Sequence, residues 1–293
     1  MKKFKSIIIN ALVIVVTAVL VFGVLELGFS DDDSQSESVP SEEEMAEVSL
    51  DLVAVGDSLT EGVGDSTQRG GFVPLVSDQL RMHPNVQSVQ TQNFGNAGDT
   101  SSQILTKLSN EELLRNAVTE SNVITLTVGG NDIVHTFGDV GINASFEDFS
   151  ASINEYKNNV QEILSTIHEL NPNALIYIIG LYNPYHYYFS EFSELQEVFD
   201  NWNATTEQLA DQQERVRFVA VDALFNPAEI QGDIEENVED AENLEELEDE
   251  NHPYLYEGDL FHPNDAGYQI MADALYDQIQ RDLSENLNLF LTQ

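Results

Sequence analysis

The chain has 293 residues, 42% of them hydrophobic, enough for one substantial core, and carries 52 acidic against 11 basic residues for a formal net charge of −41. A surface that negative repels nucleic acid and anionic lipid headgroups, which excludes nucleic-acid binding as its task. Cysteine is absent, which excludes disulfides, thiolate metal sites, a cysteine nucleophile and a lipidated cysteine.

Lys2, Lys3 and Lys5 precede an apolar run at residues 7–25, broken only by Asn10, Thr17 and Gly23. About nineteen helical residues at ~1.5 Å each come close to the ~30 Å hydrocarbon thickness of a bilayer. With no obvious A-x-A-like cleavage site, residues 1–30 read as an uncleaved signal anchor, with a cleaved signal peptide as the alternative. The positive-inside rule keeps the lysines cytoplasmic and puts the remainder outside the cell membrane, or in the medium if the segment is cleaved. Residues 31–48, from Asp31-Asp32-Asp33 through Glu42-Glu43-Glu44, read as an acidic disordered linker. A single globular domain is expected over residues 49–293.

Within that domain, apolar runs of strand length alternate with segments of helical period. Strands are predicted at 50–55, at 86–93 on a weaker, more polar run, and at 123–128, 174–179 and 216–221, and helices at 72–80, 102–120, 146–170, 191–213 and 266–283. Continuous apolar strands suit a sheet covered on both faces, so the alternation predicts a doubly wound α/β/α sandwich with a mainly parallel sheet. Several polar motifs fall where strands end, the edge at which open α/β sheets place ligands.

Gly56-Asp57-Ser58-Leu59-Thr60 follows the first strand, and Asp259-Leu260-Phe261-His262 comes just before the last helix. A serine hydroxyl needs an imidazole to take its proton and a carboxylate to orient that imidazole, and these two segments hold all three groups. The first segment is also good helix-capping chemistry, and it is not the G-x-S-x-G elbow of α/β-hydrolases, since Thr60 replaces the final glycine. In the second, Pro263 disfavours helical conformation at His262, so Asp259 and His262 share a loop, whereas Asn264 or Asp265 can cap the helix that follows. His252 is the nearest competing histidine, but Asp249 and Glu250 beside it belong to a charge run expected to be solvated. Gly129-Gly130-Asn131-Asp132 after the third strand offers the Asn131 amide to a developing oxyanion, and Gly98 in the loop 93–100 can present its backbone N–H to the same point. Each is also an ordinary loop composition.

Taken as a set, four blocks in order resemble the GDSL-type, or SGNH, hydrolases, lipases and acylhydrolases with a membrane-anchored branch in Gram-positive bacteria. They are Gly-Asp-Ser at 56–58, Asn-Ala-Gly-Asp-Thr at 96–100, Gly-Gly-Asn-Asp at 129–132 and Asp-x-x-His at 259–262. The resemblance spans about two hundred residues, and its motifs are specific together rather than singly. It implies a flavodoxin-like three-layer fold, Ser58 as nucleophile, Asp259 and His262 as acid and base, and an oxyanion hole of Ser58, Gly98 and Asn131. The implied activity is hydrolysis of carboxylic esters through an acyl-enzyme on Ser58, of the lipase, lysophospholipase or acetylesterase type. Its substrate would be a small-molecule or lipid or glycan ester, with no metal or organic cofactor and with membrane association only through the N-terminal segment. A noncatalytic surface-binding protein on the same fold is the alternative from a different class.

Two further features stand apart from that set. Tyr182, Tyr185, Tyr187, Tyr188 and Phe189 follow the fourth strand, and Tyr182, Tyr185 and Tyr187 are candidates for the lining of a substrate pocket, although such a cluster also suits a packed loop. At about 232–257 the chain carries an almost purely acidic insertion, read as a solvated loop, with a lid or an oxygen-ligand cation site as alternatives.

Charge of this density destabilises a compact state at low ionic strength through self-repulsion, and at ~1 M salt the Debye length falls to roughly 3 Å. The melting temperature should therefore rise from low to molar NaCl; a flat or falling series would contradict adaptation to a salty medium.

Overall fold

The computed structural model describes residues 47–141, 145–187, 193–226 and 252–291. The apolar and acidic segments at 1–46 and the acidic insertion up to residue 251 therefore lie outside the described residues.

Five strands, β1 (Val48–Gly56), β2 (Val86–Gly95), β3 (Val123–Thr127), β4 (Leu175–Ile179) and β5 (Val216–Val219), form one parallel sheet in the order β2-β1-β3-β4-β5. The chain steps from β1 outward to β2 and then back past β1 to β3. Their neighbouring C-terminal ends therefore diverge into loops that leave a crevice, the switch point at which doubly wound sheets place ligands. This is the expected α/β architecture.

Side chains alternate across the sheet with a period of two, and each face has its own cover. Leu50, Leu52 and Ala54 of β1, with Leu175, Tyr177 and Ile179 of β4, share one core with helix α2 (Phe72–Leu80) and the long C-terminal helix at Asp265–Glu285. Val53, Val55, Ile124, Leu126, Ile176 and Ile178 form the other core. It is covered by α3 (Ser101–Asn110), α4 (Glu112–Glu120), α6 (Ser150–Leu170) and α7 (Ser193–Asp211). The short turn α1 (Ser58–Glu61) follows β1, α5 (Gly130–Val140) follows β3, and α8 (Asp222–Phe225) follows β5, which makes the C-terminal helix α9.

Two elements differ from the sequence reading. The single helix expected over 102–120 is two helices, because Glu111 takes an extended conformation that ends α3 and starts α4. Ile104, Leu108, Leu114 and Val118 all face the same core, so the apolar period runs across the break and hides it. Residues after Gly129, read only as a turn, continue into the three turns of α5.

The end of the insertion is anchored rather than solvated. His252 is only 2% exposed, its ring edge-on to Tyr187 and Tyr254. Its Nδ1 accepts the Tyr254 N–H at 3.1 Å, and the ring also bonds the Phe225 backbone. Leu255 is buried and bridges to Pro263, which closes the segment into a compact loop ahead of α9.

Burial pushes the His252 imidazole from 6.5 down to about 4, against the opposing effect of the Phe225 hydrogen bond. Because the unfolded chain takes the proton first as pH falls, the stability this burial contributes is complete above about pH 6.5 and is lost on the way down to about pH 4. The melting-temperature advantage of the native chain over His252→Gln should shrink between about pH 7.5 and about pH 4.5. An equal difference at both pH values would contradict the buried neutral imidazole.

Candidate active site

The first strand delivers its residues to the crevice through a close contact. A Cβ at Gly56 would collide with the Thr127 hydroxyl, so only glycine lets the end of β1 close against the end of β3. Asp57 then caps α1. Its Oδ1 accepts the Leu59 N–H at 3.1 Å and the Thr127 hydroxyl at 2.8 Å, and Thr127 Oγ1 also lies 2.8 Å from Thr60 Oγ1. Burial pushes the Asp57 carboxyl above the usual carboxylate range, against the pull of these hydrogen bonds. Ser58, itself buried, is the first residue of α1, and its N–H is one of the amides that a helix start leaves without an intrahelical acceptor.

From the other end of the chain, Ser58 Oγ meets His262 Nε2 at 2.8 Å, and His262 Nδ1 meets Asp259 Oδ2 at 2.6 Å. The second Asp259 oxygen accepts the backbone N–H groups of Phe261 at 2.9 Å and His262 at 3.0 Å. Burial alone would raise the Asp259 carboxyl, but the His262 ring, these two amides and the His262 charge together hold it below the usual carboxylate range. An ionised Asp259 places the imidazole proton on Nδ1 and leaves the Nε2 lone pair facing the serine.

The loop that permits this is sharply folded. Leu260 sits at φ 54°, a left-handed conformation that costs a side-chain-bearing residue roughly 1–2 kcal/mol. Its N–H donates to Tyr256 O at 2.8 Å, and Tyr256 N–H donates to His262 O at 2.7 Å. Asn264 finishes the loop. Its Oδ1 caps α9 at the Ala266 and Gly267 amides, while its Nδ2 donates to Pro253 O and Leu255 O. The capping reading of Asn264 and the functional reading of Asp259 and His262 therefore hold together.

Two further donors come from the loops after β2 and β3. Gly98, exposed and at φ 85°, directs an N–H that meets no acceptor among the described residues. Asn131 spends one Nδ2 hydrogen on Asp99 O at 2.9 Å, which fixes the amide and leaves its second hydrogen free for a ligand. The loops are tied together by groups that sequence reasoning did not single out. Asp132 accepts the Ser101 amide at 2.9 Å and the Ser101 hydroxyl at 2.5 Å, and Glu61 accepts the Ala97 N–H. Lys107 pairs with Asp99 across the same loop.

Ser58 and Asn131 open onto a small cavity of about 30 Å³ whose apolar walls include Leu181, Tyr182, Pro184, Phe199 and Phe261. Of the three candidate tyrosines, Tyr182 lines it. Tyr185 instead lies with its ring 6.3 Å from that of Phe261, and Tyr187 packs on His252 at 4.7 Å; neither lines the cavity, while Tyr188 and Phe189 lie outside the described residues. Among the described residues no three His, Asp or Glu side chains gather in a way that could hold a metal ion. Ser58 and Asn131 thus border one partly apolar cleft, and His262 and Asp259 stand in line behind the Ser58 hydroxyl, a set suited to acyl transfer.

Comparison with known proteins gives the same class. The chain is 29% identical over 231 residues to the uncharacterized protein YpmR of Bacillus subtilis strain 168, covering 79% of this chain and 82% of that protein. Among solved structures it is similar to the lipase Lip_vut3 from a goat rumen metagenome, with a TM-score of 0.60, 24% identity, and 78% and 96% of the two chains covered. It is also similar to Axe2, an acetylxylan esterase from Geobacillus stearothermophilus, with a TM-score of 0.54, 18% identity, and 80% and 96% covered. Residues 54–270, well over half of the chain and bounded by β1 and α9, match the GDSL-like lipase/acylhydrolase family. With the fold, the cleft and this match in agreement, the chain belongs to the GDSL-like lipase/acylhydrolase family and is a carboxylic ester hydrolase.

Proposed function

We propose that the chain hydrolyses carboxylic esters through an acyl-enzyme on Ser58. The observation that carries this reading is the continuous line from Asp259 Oδ2 through His262 to Ser58 Oγ, with contacts of 2.6 and 2.8 Å. In the first half-reaction His262 Nε2 takes the Ser58 proton as Oγ bonds to the ester carbon, and the carbonyl π electrons move onto oxygen. The Ser58 and Gly98 amides and the Asn131 side chain donate to that oxyanion. Collapse of the tetrahedral species breaks the bond to the alcohol oxygen, which leaves with the proton held on Nε2. In the second half a water gives its proton to Nε2 and attacks the acyl carbon, and the expelled Ser58 Oγ recovers that proton as the carboxylic acid departs.

Asp259 stays ionised throughout and stabilises the imidazolium that forms in each half. The domain works, in this reading, on the outer side of the membrane, tethered by residues 7–25; the lysines before that run support the orientation. Ester substrates of surface polymers, lipids or small molecules all fit such a position.

Ser58→Ala should abolish turnover of p-nitrophenyl acetate and labelling by a fluorophosphonate probe while leaving the far-ultraviolet circular dichroism unchanged; retained turnover would remove Ser58 from the mechanism. Asn131→Ala should lower kcat by about 10²–10³, roughly 2.7–4 kcal/mol of transition-state stabilisation, if its amide holds the oxyanion. A rise in KM with kcat unchanged would instead make Asn131 a ground-state contact.

A further inference from the structure

We infer that the loop at residues 62–71 sets the approach of His262 to Ser58, with Asp265 and Tyr268 as its positioning residues, a role that rests on the Ser58 acyl-enzyme. The Ser58 and His262 side chains meet at 2.8 Å although 204 residues of chain separate them. Proton transfer there depends on how the two backbones are held behind the contact, since about 1 Å of misplacement can cost about a hundredfold in rate.

The loop hangs from the nucleophile. Ser58 O accepts the N–H groups of Gly62 at 2.9 Å and Val63 at 3.1 Å, so the start of the loop follows Ser58. What comes next is folded about a single carboxylate. Asp65 Oδ1 accepts the Thr67 N–H at 2.8 Å and the Thr67 hydroxyl at 2.6 Å. Its Oδ2 accepts the N–H groups of Arg69 at 2.9 Å and of Gly70 and Gly71 at 3.1 Å each. Burial alone would raise the Asp65 carboxyl, but these donors hold it below the usual carboxylate range, so it stays ionised and keeps its acceptors. Closure on an aspartate side chain orders a loop without help from a core.

The ordered loop bears on the segment directly after His262. A Cβ at Gly64, which stands at φ 93°, would lie 2.3 Å from Pro263 O, so glycine lets the loop press on the residue next to the base. Ser66 donates its N–H at 2.8 Å and its hydroxyl at 2.5 Å to the two oxygens of Asp265, the first residue of α9. The Tyr268 hydroxyl donates to Val63 O at 2.6 Å, from a ring buried in the first core. These contacts form a seam between 63–66 and 263–268, and with the Ser58–His262 hydrogen bond they close a ring. Ser66 and Asp265 are exposed, but the Asp65 loop orders one and α9 the other, so their two charge-assisted bonds cost little entropy. None of the seam residues lines the cleft bordered by Ser58 and Asn131, which directs their effect to the base and away from substrate binding.

The test measures kcat and KM for p-nitrophenyl acetate in the full chain and in Asp265→Ala and Tyr268→Phe, made separately. Each should lower kcat about tenfold and slow fluorophosphonate labelling of Ser58 to match, with KM changed by less than about twofold. Asp265→Asn should recover most of the lost rate, because its amide oxygen accepts the Ser66 N–H and its Nδ2 can donate to the Ser66 hydroxyl. In a His262→Ala background neither substitution should slow the residual labelling further, since the seam acts through the imidazole. Native kcat in both variants, an equal slowing in the His262→Ala background, or a rise in KM with kcat unchanged would each overturn the positioning role. So would a loss of kcat matched by the loss of titratable serines, which marks unfolding alone. Ser58→Ala separates the two readings: native kcat in the seam variants with Ser58→Ala inactive refutes the seam alone, whereas acetate turnover by Ser58→Ala refutes the acyl-enzyme beneath it.

Discussion

The contact between the Asp57 carboxylate and the Thr127 hydroxyl joins the ends of the two central strands, and the rest of the site is laid out from that joint. A buried carboxylate is costly unless its lone pairs are used, and here one oxygen serves both the Leu59 amide of α1 and the last side chain of β3. Ser58 lies between Asp57 and Leu59, so its position follows from theirs. The same joint brings the loop after β3 beside the loop after β1. Asn131, Asp132 and Glu61 then bind the loop after β2 to both, and three segments become one rigid rim.

The rim is stabilised by dipoles and hydrogen bonds in a molecule whose charge is overwhelmingly negative. Exposed carboxylates act at a distance and through solvent, where salt weakens them. Oriented N–H groups at contact range are screened far less. In a chain with so few cations, Lys107 and Arg217 stand at Asp99 beside the glycine loop and at Asp282 on α9, where they brace the elements that carry the site.

Much of this was legible in the sequence because it depends on residue type at a strand end. Four apolar runs, the Gly-Asp-Ser turn and the Asp-x-x-His loop announce themselves by composition, whereas β2 is mostly polar and gives a weaker signal. The break at Glu111 was not legible, since the apolar period passes through it without a change of face. Nor was the burial of His252, whose acidic sequence neighbours suggest solvent while its actual neighbours are aromatic rings brought from residues 187 and 254. Leu260 is a sharper case. Its left-handed backbone allows Asp259 to gather the amides of Phe261 and His262, yet leucine carries none of the signals that glycine or asparagine would give at such a position. Tyr182 was separable from Tyr185 and Tyr187 only by packing, because all three share one loop composition.

The bond from Tyr182 to the Phe261 carbonyl couples two parts of the site that are usually considered separately. One end belongs to the wall of the cleft, and the other to the peptide that carries His262. Tyr182 is held in turn by its stack on Phe225, so the cleft wall and the peptide before the serine-bound imidazole share one support. A shift of that wall is thus also a shift of the peptide that precedes the imidazole.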